Sequence, residues 1–136
     1  MTTADVALRL PASPEAPQRA RAFVQQRWTH LPSEVVDDAA LIVSELVSNA
    51  VNATAEGLLV LLELHRGYAR VEVVDGSSEL PRIGRPGPTE SHGRGLLLVA
   101  ALASEWGVDA RPPGKAVWAR LAIPARATER MACREA

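Results

Sequence analysis

A chain of 136 residues, 47% of them apolar, is long enough to bury the core of one compact domain. Its 15 Lys and Arg against 16 Asp and Glu leave a net charge of −1, which excludes both the basic excess of a nucleic-acid binder and the acidic excess of a disordered tail. A single cysteine, Cys133, excludes an internal disulfide framework and a cysteine cluster for structural zinc.

The opening stretch MTTADVALRLPASPEAP lacks the basic region and apolar run of a signal peptide, and the longest apolar runs are too short to span a bilayer. The expectation is a cytoplasmic protein with no membrane and no direct nucleic-acid partner. One domain is expected over 1–136, with its core at about 5–124.

Alternating Val6, Leu8 and Leu10 predict a short strand that Pro11 ends. Ser13 is the expected N-cap of a first helix, with Pro14 at its first position, Glu15 in its first turn and Phe23 and Val24 on its apolar stripe. HLPS interrupts it. Ser33 is the expected cap of a longer helix running to about Ala55 and stopped by Gly57. Along it Val35, Val36, Ala39, Ile42, Val43, Leu46, Val47 and Ala50 recur at three-and-four spacing, the signature of one buried face.

LLVLLELH and ARVEVVD read as two antiparallel strands joined by a tight turn at RGY. A loop of about twenty residues, dense in Gly, Pro and Ser, follows; loops of that length in small domains are usually functional or disordered. LLLVAALASEW predicts a third helix, and GVDA and KAVWARLAI two closing strands turned at RPPG. The tail 125–136 has no place in this scheme and is expected to fray. A short hairpin cannot join parallel strands. The expected fold is therefore α+β: a two-layer sandwich whose mixed, mostly antiparallel sheet is covered on one face by helices.

The second helix carries an anomaly. SELVSNAVNAT, residues 44–54, places Glu45, Asn49 and Asn52 in a strongly apolar run, although Asn is a weak helix former. At spacings of four and three they share one stripe beside the apolar face, and Asp38 and Leu41 extend it. A carboxylate and an amide oxygen converging there suit Mg²⁺, which takes few protein oxygens alongside phosphates. Alone, such a stripe is more often a solvated helix edge. Asp75 directly after a strand is by itself a common turn residue. Gly93 and Gly95 before an apolar helix, interleaved with His92 and Arg94, would let a phosphate approach backbone N–H groups at a helix N-terminus, yet Gly there is often only a turn. Trp28, Trp106 and Trp118 read as packing residues, and His65 as a solvated edge residue.

The order of these features is more specific than any one of them. Glu-x-x-x-Asn on a helix, Asp after the second strand of the next hairpin, and Gly-x-Gly-Leu opening a helix resemble the Bergerat (GHKL) ATP-binding fold of histidine kinases, the Hsp90 chaperone and type II topoisomerases. LIVSELVSNAV, VEVVDGSSELP, GRGLLLVAALASEWGV and GKAVWARL resemble its small branch related to bacterial anti-sigma-factor serine/threonine kinases. A Walker-type phosphate loop is absent.

The resemblance implies ATP and Mg²⁺ as cofactors, with a sigma factor or its anti-anti-sigma antagonist as partner. It implies that Glu45 orients or deprotonates the attacking serine hydroxyl, that Asn49 binds Mg²⁺, and that Asp75 accepts a hydrogen bond from the adenine amino group. Gly76 would border the base. Gly93, Arg94, Gly95 and Leu96 would form the lid edge and phosphate cradle, with Leu96 and Val99 also anchoring their helix in the core. Homodimers are common in that family.

Three departures bear on catalysis. Ala53 stands where relatives often have His, DGSSELP offers only Gly76 where many have Gly-x-Gly, and Ala116 stands where Thr commonly follows Gly-Lys. The leading function is thus an ATP-dependent protein serine/threonine kinase that also sequesters a sigma factor. The alternative is a non-catalytic binding module of the same fold, with or without nucleotide. A stand-alone catalytic partner of a histidine kinase is disfavoured, because no His-bearing dimerisation helix is evident.

Overall fold

A computed structural model describes residues 4–54, 56–76 and 92–125. The side chains of residues 4, 5 and 92–94 lie outside that description, as do residues 77–91 and 126–136, on which the expected long loop and fraying tail fall.

The described elements follow the order β1 (Ala4–Leu10), α1 (Ala16–Arg27), α2 (Ser33–Ala53), β2 (Leu58–His65), β3 (Tyr68–Asp75), α3 (His92–Leu102), β4 (Glu105–Arg111) and β5 (Gly114–Ala122). The strands form one sheet of order β1-β2-β3-β5-β4, and every pairing is antiparallel. No parallel pair occurs among the described residues, so the expected α+β sandwich stands in its antiparallel form. None of the described helices is long and apolar enough to cross a membrane.

Period-two alternation sorts the side chains between two faces. Val60, Leu62 and Leu64 of β2, Val71 and Val73 of β3, and Val117, Ala119 and Leu121 of β5 are buried beneath the helices. They meet the buried face of α2, which consists of the expected apolar residues except half-buried Val36, together with Ala40 and Ser44. The Ser44 hydroxyl is not stranded in this core; it donates to the Leu41 carbonyl at 2.9 Å. Trp28 closes the core below α1, and half-buried Trp106 packs against its margin.

The other sheet face is held by charge. Glu72 is only 2% exposed, and Arg111 bonds both of its oxygens at 3.0 and 3.1 Å. Arg70 bridges Glu72 and Glu63 at 3.1 and 2.8 Å. Arg70 also lies 5.2 Å from the Trp118 ring centre, and Arg120 covers Tyr68 at 4.8 Å. Trp118 is thus a sheet-packing residue, as expected. His65 is not a solvated edge residue: it is half-buried, stacked on Tyr68 at 4.4 Å and 3.1 Å from Glu63.

Helix boundaries differ from the sequence expectations. The first helix begins at Ala16, because the Ser13 carbonyl accepts from the Ala16 N–H in a turn, and Pro17 sits where no intrahelical donor is needed. Ser33 is the first residue of α2 and not its cap; Pro32 precedes it in extended conformation. The helix ends before Gly57, because Thr54 turns to extended backbone while its N–H still reaches the Ala50 carbonyl. The third helix starts four residues earlier than expected and stops at Leu102, since the Ser104 N–H bonds the Arg120 carbonyl and the chain from Glu105 is drawn into the sheet.

Leu62 lies fully buried on the central strand pair. Leu62→Ala should cost roughly 2–5 kcal/mol through lost transfer energy and a residual cavity. Urea unfolding should show this as a lower midpoint with an unchanged slope.

Candidate functional site

The polar edge of α2 meets the start of α3 through Glu45 and Gly95, and α2 also packs on β3, whose last residue is Asp75. Packing fixes the polar edge. The neighbours of Glu45 and Asn49 on α2, Leu46, Val47 and Ala50, are buried against the sheet. That leaves Glu45 and Asn49 half-buried on the flank, while Asn52 one turn on is exposed.

Asn49 carries the main anomaly. Both its Oδ1 and its Nδ2 are buried, and neither has a hydrogen-bond partner. An unsatisfied buried polar group costs about 1–3 kcal/mol, so its persistence calls for a reason. An oxygen donor held ready for a metal ion or a phosphate-bound water is such a reason. Among the described residues no group of three or more His, Cys, Asp and Glu converges to hold an ion. A lone amide oxygen fits Mg²⁺, which keeps water and takes phosphate oxygens, better than an ion needing an all-protein cage.

Glu45 reaches across to α3. A Cβ placed on Gly95 would overlap the Glu45 Oε2 and lie 3.3 Å from its Cδ. The carboxylate therefore rests against the first turn of α3, where a side chain at position 95 would stand. Leu96 and Val99, both fully buried, pin that turn. The Leu96 side chain is consequently a core residue. Gly93 and Arg94 lie in the same first turn; the Arg94 side chain is outside the described residues.

Asp75, the last residue of β3, points to the helix side and is 5% exposed. Opposite it in register stands Lys115, whose Nζ donates to Asp75 Oδ1 at 3.1 Å. Both side chains are buried, at 1% and 5% exposure. Gly114 makes this approach possible, since a Cβ there would strike the Asp75 carbonyl oxygen and come within 2.6 Å of Gly76 Cα. Sequence reasoning missed Lys115. It weighed Ala116 instead, but Ala116 pairs with Val74 and alternates to the opposite sheet face. No local signal marked it, because the Asp75–Lys115 pairing is set by the register of β3 on β5, two strands that no hairpin joins.

An antiparallel sheet under helices thus carries a Glu-x-x-x-Asn helix edge facing a Gly-opened helix, and an acid at the end of its central strand. The family model for the histidine kinase-like ATPase domain matches residues 10–121, and the chain belongs to that family. Membership implies ATP binding at the level of the family. No curated protein matches the chain. Among solved structures it is similar to the RsbU and RsbW domains of Rv1364c from Mycobacterium tuberculosis, with a TM-score of 0.68 and 23% identity over 90% of this chain. The match covers 33% of that larger chain. At this identity the likeness speaks for the fold.

The contact between Glu45 and Gly95 predicts an energetic coupling. Replacing a helical Gly by Ala ordinarily stabilises by about 0.5–1 kcal/mol. In the wild-type background Gly95→Ala should gain nothing, because the Glu45 carboxylate must move. In a Glu45→Ala background the same change should recover the gain, as a denaturation double-mutant cycle would show.

Proposed function

We propose that this chain is an ATP- and Mg²⁺-dependent regulatory kinase that phosphorylates a serine or threonine of an antagonist protein and holds a sigma factor. The observation that carries the reading is the Asn49 amide, buried and without a partner, one helical turn beyond a carboxylate that faces the start of α3. Family membership supports the nucleotide, and the likeness to a structure containing an RsbW domain supports the fold in which such kinases are built. Sigma factors act in the cytoplasm, so the reading implies that compartment.

Each residue has a task that its chemistry suits. Asp75 accepts a hydrogen bond from the adenine amino group and so distinguishes it from a carbonyl. Asn49 offers Oδ1 to the metal without adding charge. Gly93 and Gly95, lacking side chains, would let phosphate oxygens approach the N–H groups of the first turn of α3 that have no intrahelical acceptor. Glu45 takes the proton of the substrate hydroxyl as that oxygen attacks. When bound, ATP supplies the phosphoryl group and Mg²⁺ offsets its charge. Most of the rate then comes from positioning, with the base adding roughly 10²–10⁴-fold.

One observation favours a second reading, a nucleotide-free interaction module: Asp75 is already bonded to Lys115. Titrating the full chain with a labelled ATP analogue, with and without Mg²⁺, separates the two. Saturable, Mg²⁺-strengthened binding supports the kinase reading, and its absence in both conditions removes it.

Asn49→Ala should weaken binding far more with Mg²⁺ than without. Equal weakening in both conditions would make the amide structural. Glu45→Gln keeps the side-chain shape and removes the base. It should leave ATP affinity near wild type while phosphoryl transfer to a partner serine, or slow ATP hydrolysis, falls by about 10²–10⁴-fold. Wild-type activity in Glu45→Gln would reduce Glu45 to a helix-edge residue.

A further inference from the structure

The buried pair at the end of β3 goes beyond the family assignment of Asp75. Asp75 offers an acceptor oxygen, and 3.1 Å away Lys115 offers an ammonium donor. Both project from the same sheet face at directly opposed register positions. Gly114, backed against the Asp75 carbonyl, locks the two strand ends together, so the spacing is a property of the backbone.

Adenine presents the complementary pair. Its 6-amino group donates, and the ring nitrogens on either side of it, N1 and N7, accept. An acceptor held beside a donor matches such an edge bidentately. Water hardly reaches the site, since the two side chains are 1% and 5% exposed, and hydrogen bonds strengthen where water is excluded. Asp75 is held by its strand, whereas the Lys115 ammonium rides on a flexible four-carbon stem and can turn toward a base while staying near the carboxylate.

We infer that Lys115 is a specificity-determining residue of the base site, donating a hydrogen bond to the adenine ring nitrogen next to the amino group that Asp75 receives. This deepens the kinase reading and rests on its nucleotide site. It also reverses the meaning of the Asp75–Lys115 bond: the lysine is half of a recognition pair, and not a plug that disables the acid.

The test pairs atom deletion in the ligand with charge deletion in the protein. Full-length wild type and Lys115→Met are titrated with ATP, 1-deaza-ATP and 7-deaza-ATP. On wild type one of the two analogues should bind about tenfold more weakly than ATP, the loss of one charge-assisted hydrogen bond. Which analogue suffers identifies N1 or N7. On Lys115→Met, ATP should weaken by a similar factor, and ATP and that analogue should bind alike.

Two results overturn the inference while leaving the ATP site intact: both analogues matching ATP on wild type, or an analogue loss that persists undiminished in Lys115→Met. Failure of wild type to bind ATP at all overturns the kinase reading and this inference together, and it shows in the first titration. Should Lys115→Met not fold, because a buried carboxylate is left unpaired, a second measurement needs no variant. The Lys115 Nζ–H resonances of wild type should move on adding ATP and not on adding the weaker analogue. Identical shifts with both overturn the inference.

Discussion

Burial of one face of α2 against the sheet fixes the position of everything else in the candidate site. Ala39, Ile42, Val43, Leu46, Val47 and Ala50 are at most 3% exposed, and they meet Val60, Leu62, Val71 and Val73 on the strands. Such packing is near crystal density and transmits displacement rather than absorbing it. Because the helix cannot rotate without opening that core, Glu45 and Asn49 cannot leave its flank. The same packing brings α3 alongside, since Leu96 and Val99 are sunk into the common core and carry Gly95 to the Glu45 carboxylate.

The site opposes stability at several points. The Asn49 amide forgoes its hydrogen bonds, at a cost of about 1–3 kcal/mol. Gly95 sits in a helix where Ala would ordinarily be better. Asp75 and Lys115 are withdrawn from water, and a buried ion pair contributes little stability while making the loss of either partner costly. By contrast the Arg70, Glu72, Arg111 cluster on the other face has several charge-assisted bonds and satisfies both Glu72 oxygens. The two sheet faces thus treat buried charge differently. One satisfies both oxygens of its buried carboxylate but leaves the Arg120 Nε without a partner, and the helix side leaves the Asn49 amide unsatisfied where a ligand is expected.

Legibility in the sequence tracked the range of the forces involved. The α2 face, the β2–β3 hairpin and the α+β sandwich were readable because hydrophobic period is a local signal repeated over many residues. The stripe of Glu45 and Asn49 was readable for the same reason. Helix starts were not. Ser13 and Ser33 have the chemistry of caps, yet a turn at Ser13 and the extended Pro32 decided where the helices begin. The end of α3 was misplaced because Glu105 and Trp106 continue an apolar helical run in sequence, and pairing with β5 chose strand for them. Lys115 escaped notice because its partner lies forty residues earlier. Only the register of β3 on β5 brings the two together, and composition carries no trace of that register.

The two carboxylates of the site share a condition that bears on how a nucleotide would enter. Asp75 already accepts from the Lys115 ammonium, and Glu45 already lies against the first turn of α3, where the free N–H groups and the helix dipole favour negative charge. Neither position is neutral ground awaiting a ligand. A polyphosphate approaching α3 would meet the Glu45 carboxylate as a like charge a few ångströms away, a repulsion that grows as water is excluded. Mg²⁺ held by Asn49 would supply positive charge that offsets part of this repulsion, so metal and nucleotide are expected to bind with positive coupling. At the base end the exchange is nearly neutral, one hydrogen-bond donor to Asp75 being shared with another. The phosphate end of the site, with its unsatisfied amide and its nearby carboxylate, is therefore where most of the binding energy and most of the metal dependence should reside.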